Sequence, residues 1–169
     1  IYILLAYIYN FTQHILSYLN IAMIYFYSED IRYPTRNKTK IKTWLQQVAK
    51  AEKKKIRHLN IIYCSDLYLL QLNKTYLNHN TLTDIITFEY TEEQNNLEGD
   101  IFISIERIKD NAAQLNVSVS LELCHVMVHG LLHLIGYEDK TLSQKEKMRK
   151  KEDIYLVKLN TLLRGKTKK

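Results

Sequence analysis

Glycine and proline are scarce in this chain of 169 residues, with four of the first and one of the second. So few breakers argue against a loop-rich or disordered chain, and hydrophobic residues at 46% are enough to fill a core. Cysteine is limited to Cys64 and Cys124, in segments that read as a buried strand and a buried helix. That excludes a disulfide framework, makes both thiols small core residues, and fits a reducing cytoplasm. An uninterrupted apolar run of membrane-spanning length is also missing. Residues 1–9 are apolar, but Asn10, Thr12, Gln13, His14 and Asn20 break the stretch. Neither the basic start nor the small-residue cleavage site of a secretion signal is evident. Residues 1–22 are therefore expected to be an apolar extension ahead of a domain that starts at Met23. One domain over 23–165 suits the length, with 166–169 a basic tail.

What is plentiful is positive charge. The formal net charge is +6, from 24 Lys and Arg against 18 Asp and Glu. The basic residues are bunched, as in Lys50, Lys53, Lys54, Lys55 and Arg57, and again in Lys145, Lys147, Arg149, Lys150 and Lys151. A basic surface favours an anionic partner such as RNA, but acidic neighbours dilute these runs, so moderate RNA affinity is expected.

Strand and helix patterns alternate along the chain. Ile24–Tyr27 reads as a short strand, and Ile41, Trp44, Leu45, Val48 and Ala51 mark an amphipathic helix over 39–52. His58–Cys64 is β-rich. Ser65 or Asp66 can cap the next helix, in which Leu67, Leu70 and Tyr76 recur on one side. Residues 83–90 and 99–104 read as strands joined by a polar connection over 92–98. A helix over 105–115 precedes Asn116 and Ser118, either of which can cap a longer helix from Val119 to Ile135. That helix is apolar on most faces and should be central. Gly136 suits the left-handed position that ends it, and Thr141 with Gln144 resembles a capping box opening a last helix. The expected fold class is α+β: one domain with a small mixed sheet, helices packed on it, and a buried central helix.

The chemistry concentrates on that helix. His129 and His133 are four residues apart, so both imidazoles lie on one face about one turn apart and can reach one ion. Gly136 lets the chain turn back, and Glu138 and Asp139 both offer a carboxylate as third ligand. Two histidines and a carboxylate leave a coordination position open for water, the mark of a catalytic ion. His125, a turn earlier, is roughly 12 Å from His133 along the axis, too far to share the ion. A supporting or groove-lining role is expected for it, with packing as the alternative. The residue after His129 is Gly130, where zinc peptidases carry a general-base glutamate, so peptidase chemistry by that route is disfavoured.

His129-Gly-Leu-Leu-His-Leu-Ile-Gly-Tyr-Glu-Asp139 resembles the signature of the YbeY family, H-G-x-L-H-L-x-G-Y-D-H, whose three histidines bind zinc. The likeness extends over roughly Met23 to Leu159. Leu72-Asn-Lys-Thr-Tyr-Leu77 is similar to the family's L-N-x-x-Y-R. Thr83-Asp-Ile-Ile-Thr-Phe88 is similar to T-D-V-L-S-F, and Gly99-Asp-Ile to its G-D-I strand. Met148 and Glu152 stand where the closing helix has M-x-x-x-E. The resemblance implies a metal-dependent single-strand endoribonuclease acting in 16S rRNA 3′-end maturation and ribosome quality control. It implies one Zn2+ or other divalent ion per chain on His129, His133 and Asp139, by metal-assisted phosphodiester hydrolysis. The partner implied is rRNA in the small ribosomal subunit, in the cytoplasm, with no DNA or membrane expected. Asp139 takes the place of the family's third histidine. Leu77 takes that of an arginine, which leaves His79 as the nearest cation for catalysis. Two other readings are a non-catalytic ribosome assembly factor with a structural metal, and a metal-dependent hydrolase of another substrate.

Overall fold

The computed structural model describes residues 22–164. The extension expected over 1–22 lies outside the described residues except for Ala22, which packs partly buried on the core, and the tail over 166–169 lies outside them altogether. In chain order the elements are β1 (Met23–Ser28), α1 (Lys38–Ala51), β2 (Lys55–Cys64), α2 (Asp66–Leu77), β3 (Ile85–Glu89), β4 (Asn96–Ser104), α3 (Ile105–Leu115), α4 (Val119–Ile135) and α5 (Leu142–Arg164). The four strands form one sheet in the order β1-β2-β4-β3. The β1, β2 and β4 strands run parallel, and β3 closes the edge antiparallel to β4. This is the α+β arrangement with a mixed sheet that the alternating patterns imply.

One sheet face carries Ile24, Leu59, Ile61, Ile101 and Ile103, and the main core forms where these meet α1, α4 and α5. Helix α4 is buried on most of its circumference, from Leu123 and Cys124 through Met127, Val128, Leu131 and Leu132 to Leu134. Its one polar stripe is Glu122, His125, His129 and His133, spaced three and four residues apart and so stacked on a single face. Gly130 lies where the helix presses on the sheet. A Cβ there would come within 2.5 Å of Ile85 Cδ1 and 3.0 Å of Ile101 Cγ2. The absence of a side chain sets how closely α4 approaches β3 and β4.

The caps explain where elements begin and end. Ser65 and Ser118 accept at Oγ from Tyr68 N–H and Leu121 N–H, at 3.1 and 3.2 Å, and open α2 and α4. Asn116 takes a left-handed conformation (φ 54°) that closes α3 rather than opening α4. Gly136 ends α4 at φ 104°, a conformation that strains any residue with a Cβ. Its N–H bonds to His133 O and that of Tyr137 to Leu132 O, turning the chain back along the stripe. Thr141 and Gln144 form the reciprocal capping box at the start of α5.

Four expectations are corrected. Helix α2 buries Leu69 and Asn73, while Leu67 and Tyr76 face solvent at 65% and 63% exposure. Tyr68, Leu69, Leu70 and Leu72 put apolar groups on every side of this short helix, so periodicity could not select its inner face. Strand β2 starts at Lys55 rather than His58, and residues 96–98 of the expected connection are strand. The two gains have one cause, because Lys55 and Ile56 pair with Asn96 and Leu97. Strand β3 is shorter than 83–90, and Thr83 and Asp84 stand in the loop before it. Cys64 and Cys124 are both buried and free. Burial pushes their thiols up to about 12 and about 11, so neither is a thiolate at neutral pH. Among the described residues no single helix is long and apolar enough to cross a membrane.

Candidate metal centre

The polar stripe of α4 supplies the centre, and α5 supplies its support. His129 Nδ1 donates to Glu152 Oε1 at 2.6 Å, and His133 Nδ1 donates to the backbone carbonyl of Tyr137 at 2.9 Å. A carboxylate and a carbonyl can only accept, so both rings carry their proton on Nδ1. Their Nε2 atoms, turned away from those acceptors, face each other 2.9 Å apart, with ring planes at 86°. Two nitrogens at that distance need a proton or a metal ion between them. Asp139 Oδ2 is 4.0 Å from His129 Nε2. One ligand atom from each of the three residues falls within 4.8 Å of the others. Ligands of a tetrahedral zinc stand roughly 3.3 Å apart, between the two spacings observed, so the donor set fits such an ion.

Of the two carboxylates after Gly136, Asp139 is the one that joins the histidines. Glu138 turns away, accepting from Gln144 Nε2 at 2.8 Å and pairing with Lys140 at 3.4 Å. His125 stays apart from the cluster, as the axial distance requires, and sits between Glu152 at 3.2 Å and Glu122 at 3.3 Å. Its hydrogen bond with Glu152, with that carboxylate's charge, outweighs burial and pushes the imidazole up to about 9. Burial alone would raise the Glu152 carboxyl, yet hydrogen bonds from His125 and His129 hold it down at about 2. It is therefore an anion at neutral pH. Burial, followed by the adjacent His129, lowers His133, which keeps that ring a neutral donor.

The turn carrying Asp139 is tied to the end of α1. Tyr137 Oη donates to Glu52 Oε2 at 2.8 Å, Lys151 Nζ donates to Glu52 Oε1 at 2.7 Å, and Tyr155 Oη donates to the same carboxylate. Burial works against the Glu52 anion, but these three donors prevail and lower its pKa. Neither Glu52 nor the support from Glu152 was legible as part of the site. The resemblance marks Glu152 through M-x-x-x-E without giving it a role, and a second signal is its place among Met148, Tyr155 and Leu159, a lone acid on the buried stripe of α5.

The three residues open on a groove of about 800 Å³. Its other wall comes from the end of α2 and the loop before β3, with Asn73, His79, Thr83 and Asp84. His79 is exposed, and its N–H bonds to Asn73 O at 3.3 Å. Asn73 Nδ2 donates to Thr81 O at 2.8 Å and so fixes this loop. Asp84 borders the groove while its Oδ2 accepts from Asn111 Nδ2 at 3.1 Å.

Residues 23–160 match the family model described as endoribonuclease YbeY. The chain is similar to the endoribonuclease YbeY of Cytophaga hutchinsonii, at 53% identity over 133 residues, 79% of this chain and 93% of the relative. It is 48% identical to that of Amoebophilus asiaticus over 136 residues, 80% of this chain and 92% of the relative. Among solved structures, a solution structure of a Thermotoga maritima protein matches with a TM-score of 0.58 and 25% identity. That match covers 87% of this chain and 99% of the other.

Proposed function

The chain belongs to the endoribonuclease YbeY family, and we propose that it is a metal-dependent endoribonuclease acting on single-stranded RNA in rRNA maturation. Its substrate in this reading is the 3′ end of 16S rRNA, met on the small ribosomal subunit in the cytoplasm, with ribosome quality control as a related task. The observation that carries the reading is the facing pair of Nε2 atoms on His129 and His133, with Asp139 beside them in an open groove.

His129, His133 and Asp139 would hold the ion, and two imidazoles with one carboxylate suit zinc while admitting other divalent metals. A divalent ion there would supply Lewis-acid charge, offsetting that developing on a phosphodiester and making water a better nucleophile at neutral pH. The chain's own residues do the rest. Glu152 orients the ring of His129, as the Tyr137 carbonyl orients that of His133. The Glu52 cluster holds the Gly136–Asp139 turn at the mouth. His79 stands on the opposite wall, where an RNA phosphate lying across the groove would meet its ring.

Gly130 supports this reading over peptide hydrolysis. A glutamate at 130 would collide with Ile85 and Ile101, so no general base can occupy that position without repacking the sheet. The test is cleavage of an unstructured rRNA fragment by purified protein, with His129→Ala as control. The expected loss is about a hundredfold or more, since a ligand is removed. Cleavage surviving in that variant would overturn the mechanism.

A further inference from the structure

A second groove, of about 640 Å³, lies behind the candidate metal centre, between the end of α3 and the outer faces of α4 and α5. His129 and Asp84 line both grooves, so the second lies beside the ring that faces the centre. The walls differ in chemistry. Leu115, Leu121 and Leu156 make the second groove an apolar slot, and Leu115 is 60% exposed with nothing covering it. At its rim, Arg149 and Asp153 stand four residues apart on α5, and among the described residues neither forms an ion pair with the other or with any other group. Deeper in, Glu122 and Glu152 are both committed to His125.

A slot with this lining does not suit a phosphate, which would meet the carboxylates of Asp84, Glu122, Glu152 and Asp153. It suits a flat, uncharged ring that offers hydrogen-bond donors. Unpaired nucleobases are such rings, and a free carboxylate accepts from the exocyclic amine of cytosine or adenine, which uracil lacks. The volume falls in the range of sites that bury a small ligand. The rim guanidinium can stack on the base or meet the next phosphate.

We infer that this groove is a base subsite. It receives an unpaired nucleobase of the RNA next to the phosphate at the metal centre, and it favours bases with an exocyclic amine through Asp153. The inference rests on the endoribonuclease reading and adds a source of sequence preference to it.

The test uses short 2′-O-methyl oligonucleotides that differ at one position, with cytidine, uridine or an abasic residue there, and reads binding to the full chain by fluorescence anisotropy. Asp153→Asn and Leu115→Ala are made at exposed positions, so both variants keep the fold. Wild type should bind the cytidine probe about tenfold tighter than the uridine probe, and the abasic probe weakest. Asp153→Asn should bring cytidine and uridine together, and Leu115→Ala should narrow the gap between base and abasic probes. Equal binding of all three probes by wild type, or a preference that Asp153→Asn leaves intact, overturns the inference. Cleavage of the matching unmodified RNAs is scored alongside. Cleavage without base preference sinks the subsite alone, whereas base preference without cleavage sinks the nuclease reading and leaves only a base-binding groove with no scissile phosphate beside it.

Discussion

Glu152 divides its two oxygens between His125 and His129, and that division fixes which nitrogen of His129 is bare. The carboxylate is worth more here than its charge alone, because it also holds the ring at the angle where Nε2 meets its partner. Glu152→Gln puts that to the test. An amide keeps the size but offers one acceptor and one donor, so one histidine N–H loses its partner or faces another N–H. Zinc affinity is expected to fall about 10- to 100-fold, read by competition with a chromophoric chelator, with the thermal unfolding of the metal-free protein scored in parallel. Unchanged affinity would show that Glu152 does not position His129. The histidines were legible in the sequence from spacing alone, because four residues on a helix fix their separation whatever surrounds them. Glu152 was not, since 23 residues and a turn separate it from the ring it holds. The axial distance separates His125 from the pair, but its place between two carboxylates depends on how α5 packs.

Helix α4 presents four polar side chains to one side and packs nearly everything else against the core. Gly130 governs how near it comes to the sheet. In an isolated helix Gly→Ala stabilises by about 1 kcal/mol, but overpacking a filled core costs about 1–3 kcal/mol. The 2.5 Å approach to Ile85 Cδ1 makes the second effect the larger one. Gly130→Ala should therefore lower the midpoint of urea unfolding, by a net loss on the order of 1 kcal/mol. A gain in stability would mean that Ile85 and Ile101 give way freely and that the close approach is not required. Both ends of α4 could be read in advance, because Ser118 and Gly136 act locally. The inner face of α2 could not, since its burial depends on Ile86, Phe88 and Phe102 across the sheet rather than on its own periodicity.

The whole molecule brings its chemistry to the side where strand β3 closes the sheet. There α4, α5 and the turn after Gly136 meet the loop that carries His79 and Asp84. The order β1-β2-β4-β3 was not legible, because alternating patterns announce strands but not their neighbours. The clusters of positive charge were legible, but their use was not. Lys151 is spent on Glu52, Lys147 lies 5.0 Å from the Tyr137 ring centre, and Lys40 donates to Leu163 O. None of these contacts lowers the positive charge beyond what the net charge already counts, so the basic surface can still attract RNA while the candidate metal centre supplies the chemistry. That centre is tested most directly by measuring bound metal per chain and RNA cleavage in the same samples of wild type and Asp139→Ala. The account predicts about one divalent ion per wild-type chain, with both the ion and cleavage lost in the variant. Full metal content and undiminished cleavage in Asp139→Ala would contradict it.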